Sequence, residues 1–196
     1  MDPKTLTNTY YALRHGQSLA NIKDLIVSDP ANGITNWGLS ELGKKQAASA
    51  FAACPDQNFH LGPDTLIVSS DFLRTKQTAQ IAAQALGCTT EIQFSPLLRE
   101  RFFGKWELTQ GNYDAKIWDW DTKNRVEPGS GVEPVGQVLD RGLRLLAEIE
   151  TRHENQNILL VSHGDTLQIL MTFFQGFPPH CHRELDHLET AEVRKL

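Results

Sequence analysis

The sequence predicts an α/β fold, a mostly parallel central sheet with helices on both faces, in one domain (1–196) carrying a lid-like insertion over about 105–134. Three observations lead there. Short apolar runs alternate with helical segments along the chain, as parallel crossover connections require. Two of the runs, Tyr10 to Leu13 and Asn157 to Ser162, end abruptly in Arg14-His15-Gly16 and His163-Gly164. And 196 residues suffice for a sizeable core but not for two full domains.

Taken in order, Tyr10 to Leu13 has the composition of a buried strand. Gly16 then permits backbone angles closed to other residues, and Ser18 and Asn21 favour turns. An alanine-rich helix is expected from Leu39-Ser40 through Ala53, with Ser40 as N-cap and Pro55 beyond its end. Thr65 to Ser70 reads as the second strand. Asp71 is the expected N-cap of a helix lined by Phe72, Ala79, Ala82, Ala83 and Leu86 and stopped at Gly87. Thr89 to Phe94 is a short third strand, closed by Pro96. From Lys105 to Pro134 the pattern weakens, with a short helix expected over Tyr113 to Asp121. Val135, Val138, Leu139, Gly142, Leu143, Leu146 and Ile149 then mark one face of a helix from about Pro134 to Arg152. Asn157 to Ser162 is an unbroken apolar strand, Thr166 to Phe174 a helix, and Glu189 to Arg194 a final strand.

A formal charge of −5 and a pI near 5.8 give no global basic field for nucleic acid or an anionic membrane, so any anion site must be local. Cys54, Cys88 and Cys181 are odd in number and widely spaced, which argues against a disulfide framework or a zinc knuckle and favours a reducing cytoplasm. The amino-terminal residues have no apolar signal core, and no run reaches the length of a membrane span. His180, His182 and His187 have spacing that could ligate zinc but read better as a loop, and His60 and His153 as surface residues. Trp106, Trp118 and Trp120 are expected to form the insertion's own small core, and Lys44-Lys45 a solvated helix face.

Four segments remain: Arg14-His15-Gly16 with Ser18 and Asn21; Ser69-Ser70-Asp71 through Arg74 to Ala79; Arg99-Glu100-Arg101-Phe102-Phe103-Gly104; and Ser162-His163-Gly164. Together, in this order, they resemble the histidine phosphatase superfamily, the phosphoglycerate-mutase-like proteins. Gly38 to Gly43 with Gln46-Ala47, and Val132-Glu133 leading to Arg141, are supporting echoes. The resemblance implies that His15 is phosphorylated, that Arg14, Arg74 and His163 clamp the phosphoryl oxygens, and that Glu100 protonates the leaving group. It further implies that Asn21, Ser28, Arg101 and Gly164 contact substrate, a small phosphorylated metabolite, and that no metal or organic cofactor is needed.

The chemistry supports this independently. Phosphate monoesters resist hydrolysis so strongly that accelerations approach about 10²¹. Two guanidiniums provide planar, permanently charged donors that lysines could not reproduce. A neutral imidazole at His15 can attack, splitting one hard displacement into two. Glu100 poses a conflict, because Arg99 and Arg101 would lower its pKa if they pointed the same way. At a carboxyl pKa of about 4.3, only about one Glu in 500 carries a proton at pH 7, a handicap of about 3.7 kcal/mol.

The expected activity is phosphomonoester hydrolysis. Its rivals are a cofactor-dependent phosphoglycerate mutase and a pseudo-enzyme that only binds a phosphorylated ligand. The mutases this family includes carry a longer insertion between the positions of Glu100 and His163, with a Lys and an Arg-Arg pair holding the substrate's far anionic end. Here Lys105, Lys116, Lys123 and Arg125 are scattered among Asp114, Asp119 and Asp121. After Asn21, where mutases continue through an Arg to a Thr-Gly or Ser-Gly pair, this chain has Leu25, Val27 and Ser28, and Glu107-Leu108 replaces a Glu-Gly or Thr-Gly.

Overall fold

The computed structural model describes residues 1–51, 60–110 and 113–196. In chain order its elements are β1 (Thr9–Arg14), α1 (Leu19–Ile22), α2 (Pro30–Gly33), α3 (Glu41–Ser49), β2 (Leu66–Ser69), α4 (Leu73–Leu86), β3 (Gln93–Phe94), α5 (Tyr113–Thr122), α6 (Val135–Glu150), β4 (Asn157–Ser162), α7 (Gly164–Gln175) and β5 (Val193–Lys195). The sheet order is β3-β2-β4-β1-β5. All neighbours run parallel except β5, which is antiparallel to β1.

Alternation along the strands separates two apolar layers. Tyr10, Leu66, Val68, Ile158 and Leu160 face Leu145, Leu146 and Ile149 of α6 and Leu170 of α7. Tyr11, Leu13, Ile67, Leu159 and Val161 face Ala79 and Ala82 of α4, with Ala50 and Phe51 packed alongside. Both faces are therefore covered, which is why β4 reads as an unbroken apolar run. No helix among the described residues is long and apolar enough to cross a membrane.

Several local expectations are corrected. Asp71 does not cap α4: the N-cap is Phe72, without a side-chain bond, and Asp71 instead accepts two bonds from Arg99 at 2.8 and 2.7 Å. Gly16 does not adopt a positive φ. Its need is close approach, since a Cβ there would lie 2.3 Å from the Gly43 carbonyl oxygen, and one on Gly43 would lie 2.0 Å from that of Gln17. The loop after β1 thus rests on the first turn of α3, whose N-cap is Ser40 as its sequence suggests. Ala52, Ala53, Cys54 and Pro55, in the expected end of that helix and beyond, lie outside the described residues. α7 starts at Gly164, two residues before the expected Thr166, because His163 is its N-cap. The last strand is Val193–Lys195, and β3 shrinks to Gln93–Phe94.

The 105–134 segment holds α5 and a small core of its own. Trp106, Trp120 and Val126 pack against Ile26, Phe103, Ile117 and Val132, with the two indoles 5.5 Å apart.

Candidate active site

Register brings the two motifs together. Arg14 pairs with Ser162 at the ends of β1 and β4, Ser69 at the end of β2 pairs with Val161, and the Ser70 N–H reaches the Val161 carbonyl at 2.9 Å. Three parallel strands therefore end side by side, the position where open α/β sheets bind ligands. His15 and His163 follow directly, with ring centroids 5.2 Å apart.

His15 is buried, and its Nδ1–H donates to the Gly16 carbonyl at 2.8 Å. That leaves Nε2 as the lone-pair nitrogen, and it accepts from the Arg74 Nε–H at 3.1 Å. Burial, then the charges of Arg74 and Arg14, hold the imidazole well below its ordinary pKa, so it is neutral. The same Arg74 N–H is shared with His163 Nδ1 at 3.2 Å, so His163 bears its proton on Nε2 and donates to Ser70 Oγ at 2.9 Å. Burial and the Arg74 charge also push the pKa of His163 well down. The His163 ring is fully buried behind Arg74 and does not line the cavity.

Arg14 and Arg74 are the permanent charges. Arg14 Nη1 meets His187 Nε2 and the Leu188 carbonyl, each at 2.6 Å, and Arg74 Nη2 donates to the Val27 carbonyl at 2.9 Å. Burial lowers both pKa values, that of Arg74 to about 10, which leaves both cationic at neutral pH. Arg14 Nε and Arg74 Nη1 are buried with no hydrogen-bond partner. Buried donors are nearly always satisfied, so two orphaned guanidinium N–H groups at a cavity wall mark a place for an anion.

The loop carrying Glu100 is held from three sides. Ser162 Oγ donates to the Leu98 carbonyl at 2.6 Å. Arg141 on α6 forks onto Glu133 and donates to the Leu97 carbonyl, and Glu133 accepts from the Phe102 N–H. Glu100 Oε1 accepts from the Arg101 N–H at 3.0 Å, with Thr166 Oγ1 at 3.2 Å. Neither neighbouring guanidinium is bonded to this carboxyl: Arg99 is forked onto Asp71, and Arg101 onto Asp121. Burial, then the charge of Asp165, raises the Glu100 pKa above its ordinary value.

These groups share a cavity of about 590 Å³ lined by Arg14, His15, Arg74, Glu100, Asn21 and Gly164 at the strand ends. Asn21 also completes the capping box of α1: its N–H donates to Oγ of the N-cap Ser18, and its Oδ1 accepts from the Ser18 N–H. Three residues expected to contact substrate do not line it: His163, held behind Arg74, and Ser28 and Arg101. Ser28 is buried, bonded to Glu107 at 2.8 and 2.7 Å and accepting from the Phe103 N–H. Arg101 is fully buried, forked onto Asp121 at 2.7 Å twice and 3.3 Å from Asp165, because the 105–134 segment supplies a carboxylate from behind. Among the described residues no three His, Cys, Asp or Glu side chains cluster to hold a metal. His182 is buried with Nδ1 on the Pro179 carbonyl, whereas His187 sits on Arg14.

The model of the histidine phosphatase superfamily (branch 1) matches residues 10–196. The chain belongs to this superfamily. It is 32% identical over 191 residues to the probable phosphoglycerate mutase GpmB of Salmonella paratyphi C, covering 95% of this chain and 83% of that one. Among solved structures it is similar to the α-ribazole phosphatase of Shigella flexneri, at TM-score 0.70 and 25% identity, covering 94% of this chain and 88% of that one. Its fold also matches a mycobacterial glucosyl-3-phosphoglycerate phosphatase at TM-score 0.76 and 24% identity, over 94% and 90% of the two chains.

Superfamily motifs did not single out the far wall. Arg183, His187, Asp165, Gln168 and Trp118 also line the cavity. Arg183 lies on a 3₁₀ helix (Pro179–Glu184), pairs with Asp165, donates to Gln168 Oε1 at 2.9 Å and stacks on Trp118. The His-rich run there read as a loop, and nothing in its sequence marked it as a cavity wall. The three tryptophans divide: Trp106 and Trp120 pack in the small core, while Trp118 faces the cavity.

Proposed function

We propose that this protein hydrolyses phosphomonoesters of small metabolites through a phosphohistidine at His15. The observation that carries the reading is the pair of unpartnered guanidinium N–H groups, Arg14 Nε and Arg74 Nη1, beside the lone pair of His15 Nε2. A phosphoryl dianion placed there satisfies both donors and presents phosphorus to the nucleophile. As the Nε2–P bond forms and the P–O bond breaks, the proton of Glu100 passes to the leaving oxygen. Because Oε1 accepts from Arg101 N–H, that proton rides on Oε2. The carboxylate then takes a proton from water as its oxygen attacks phosphorus and the P–N bond breaks, restoring both groups. The arginines supply the electrostatic stabilisation that a metal supplies elsewhere, and no cofactor enters the scheme.

Phosphoglycerate mutase is the second reading, favoured by the names of the relatives above 30% identity. Both readings require phosphorylated His15, and a pseudo-enzyme requires none. Wild-type protein incubated with ³²P-labelled ester and quenched should carry label that acid removes and alkali spares, and His15→Ala should carry none and turn over no ester while remaining folded. Acid-stable label, or near-normal turnover by His15→Ala, would overturn the mechanism.

A further inference from the structure

Beyond the phosphoryl end, the cavity is walled by Leu25, Ile26, Val27, Phe103, Trp118 and Leu185. Trp118 stands out among them. It is 37% exposed, whereas Ile26, Val27, Phe103 and Leu185 are at most 8% exposed. One face of its indole is covered by the Arg183 guanidinium, 4.5 Å from the ring centre, and the ring still lines the cavity.

The charges along this wall are paired. Arg183 spends Nη2 on Asp165 and Nη1 on Gln168, and keeps only Nε, buried without a partner. His187 must accept at Nε2, because the Arg14 guanidinium facing it has only donors, so the imidazole is neutral. No lysine is among the lining residues. Glu100 and Asp165 both line the cavity, so a second anion would meet two carboxylates and only one open donor, Arg183 Nε, on a guanidinium whose charge Asp165 already balances.

Building on the proposed phosphatase reading, we infer that the substrate's leaving group is uncharged and carries a flat apolar ring, seated against Trp118 and the Leu25–Val27 wall. The phosphoryl group is held by Arg14, Arg74 and His15, and selectivity comes from the opposite wall. A ring that buries its faces there gains affinity that a short alkyl chain lacks, and a carboxylate there loses its hydration without a partner.

The test uses three esters with primary alkyl leaving oxygens: propyl phosphate, 3-phenylpropyl phosphate and 3-phosphonooxypropanoate. For the wild-type protein, kcat/KM for the phenyl ester should exceed that for propyl phosphate by roughly 10- to 100-fold, and the carboxylate ester should fall below propyl phosphate. In Trp118→Ala the phenyl-to-propyl ratio should collapse toward one, with Trp118→Phe between the two. Calorimetric titration of the same esters into His15→Ala ranks leaving groups without turnover, so a protein that cleaves no ester would sink the phosphatase reading while the ranking still decides this one. A carboxylate ester preferred over the phenyl ester, a phenyl ester no better than propyl, or an unchanged ratio in Trp118→Ala would overturn the inference.

Discussion

A carboxyl that must give up a proton near pH 7 needs its charged form disfavoured, and two arginines adjacent in sequence threaten the opposite. At Glu100 the threat is removed by geometry, since Asp71 takes Arg99 and Asp121 with Asp165 takes Arg101, while burial and Asp165 raise the pKa. The sign follows: the acid form persists to higher pH than in an ordinary glutamate, and kcat/KM falls as pH rises through the raised value. On the acid side His15 must be neutral, and its lowered pKa keeps activity intact well below pH 6.5. Glu100→Gln should therefore lose the alkaline limb and cost alkyl phosphates about 10²- to 10⁴-fold, but 4-nitrophenyl phosphate, whose leaving group needs little protonation, less than about tenfold. Equal losses on both esters, measured as pH profiles of kcat/KM, would assign Glu100 to binding. That His15, Arg14, Arg74 and Glu100 meet at one cavity was legible because each lies in a short motif at a strand end or in the charged loop. Arg101 was misread because the carboxylates that turn it inward, Asp121 and Asp165, lie far from it in sequence. Arg183 and His187 were missed because a loop without periodicity does not reveal which way it faces.

Among the elements, those with long periodic faces were readable and the shortest were not. The three- and four-residue spacing of α6 places Leu145, Leu146 and Ile149 on the sheet and Val138 against Ile169 of α7, whereas α1 and α2, at four residues each, are too short to show a period. Asp71 looked like a cap because caps are local, but a distant arginine outcompeted the backbone for it. One join between elements makes a pH-dependent prediction. Glu150, the last residue of α6, accepts from the Thr7 N–H at 2.7 Å, Thr7 Oγ1 at 2.9 Å, Asn8 Nδ2 at 2.7 Å and Tyr10 Oη at 2.7 Å, so it pins the entry to β1. These bonds, acting against burial, lower its pKa from an ordinary 4.5 to about 2. A folded-state pKa below the unfolded one gives stability that is present above the unfolded value and lost as pH falls through the folded one. Glu150→Gln should melt roughly 2–6 °C lower than wild type at pH 7. The gap should narrow between pH 4.5 and about 2. A gap constant across that window in thermal melts would show that the carboxylate charge is not what joins α6 to β1.

For the molecule as a whole, the remaining choice is whether the phosphoryl group goes to water or returns to substrate, and this rests on where the cations stand. A mutase must keep a bisphosphorylated intermediate through many turnovers, which needs several charge-assisted contacts of roughly 1.5 to 3 kcal/mol each at the end remote from the nucleophile. Three basic residues of the 105–134 segment are paired elsewhere, Lys105 facing Glu127 at 3.5 Å and Lys123 and Arg125 both lying against Asp119, and the fourth, Lys116, is exposed and does not line the cavity. Arg99 and Arg101 are held by Asp71 and Asp121, and Arg183, the cation on the far wall, is paired with Asp165. A second anionic group in this cavity would find a single open donor, Arg183 Nε. To gain the forked contact a clamp needs, it would have to break the Arg183–Asp165 pair, leaving a carboxylate unpaired beside it, and breaking a buried pair costs more than a new exposed contact returns. The dephosphorylated product should therefore leave, and water should take the phosphoryl group from His15. With 3-phosphoglycerate and catalytic 2,3-bisphosphoglycerate, the expected result is release of inorganic phosphate, slow relative to an uncharged ester, with 2-phosphoglycerate absent or a minor product by NMR. Rapid formation of 2-phosphoglycerate, outpacing phosphate release from every ester tried, would require Arg183 to exchange Asp165 for the substrate carboxylate, and would place this chain with the mutases.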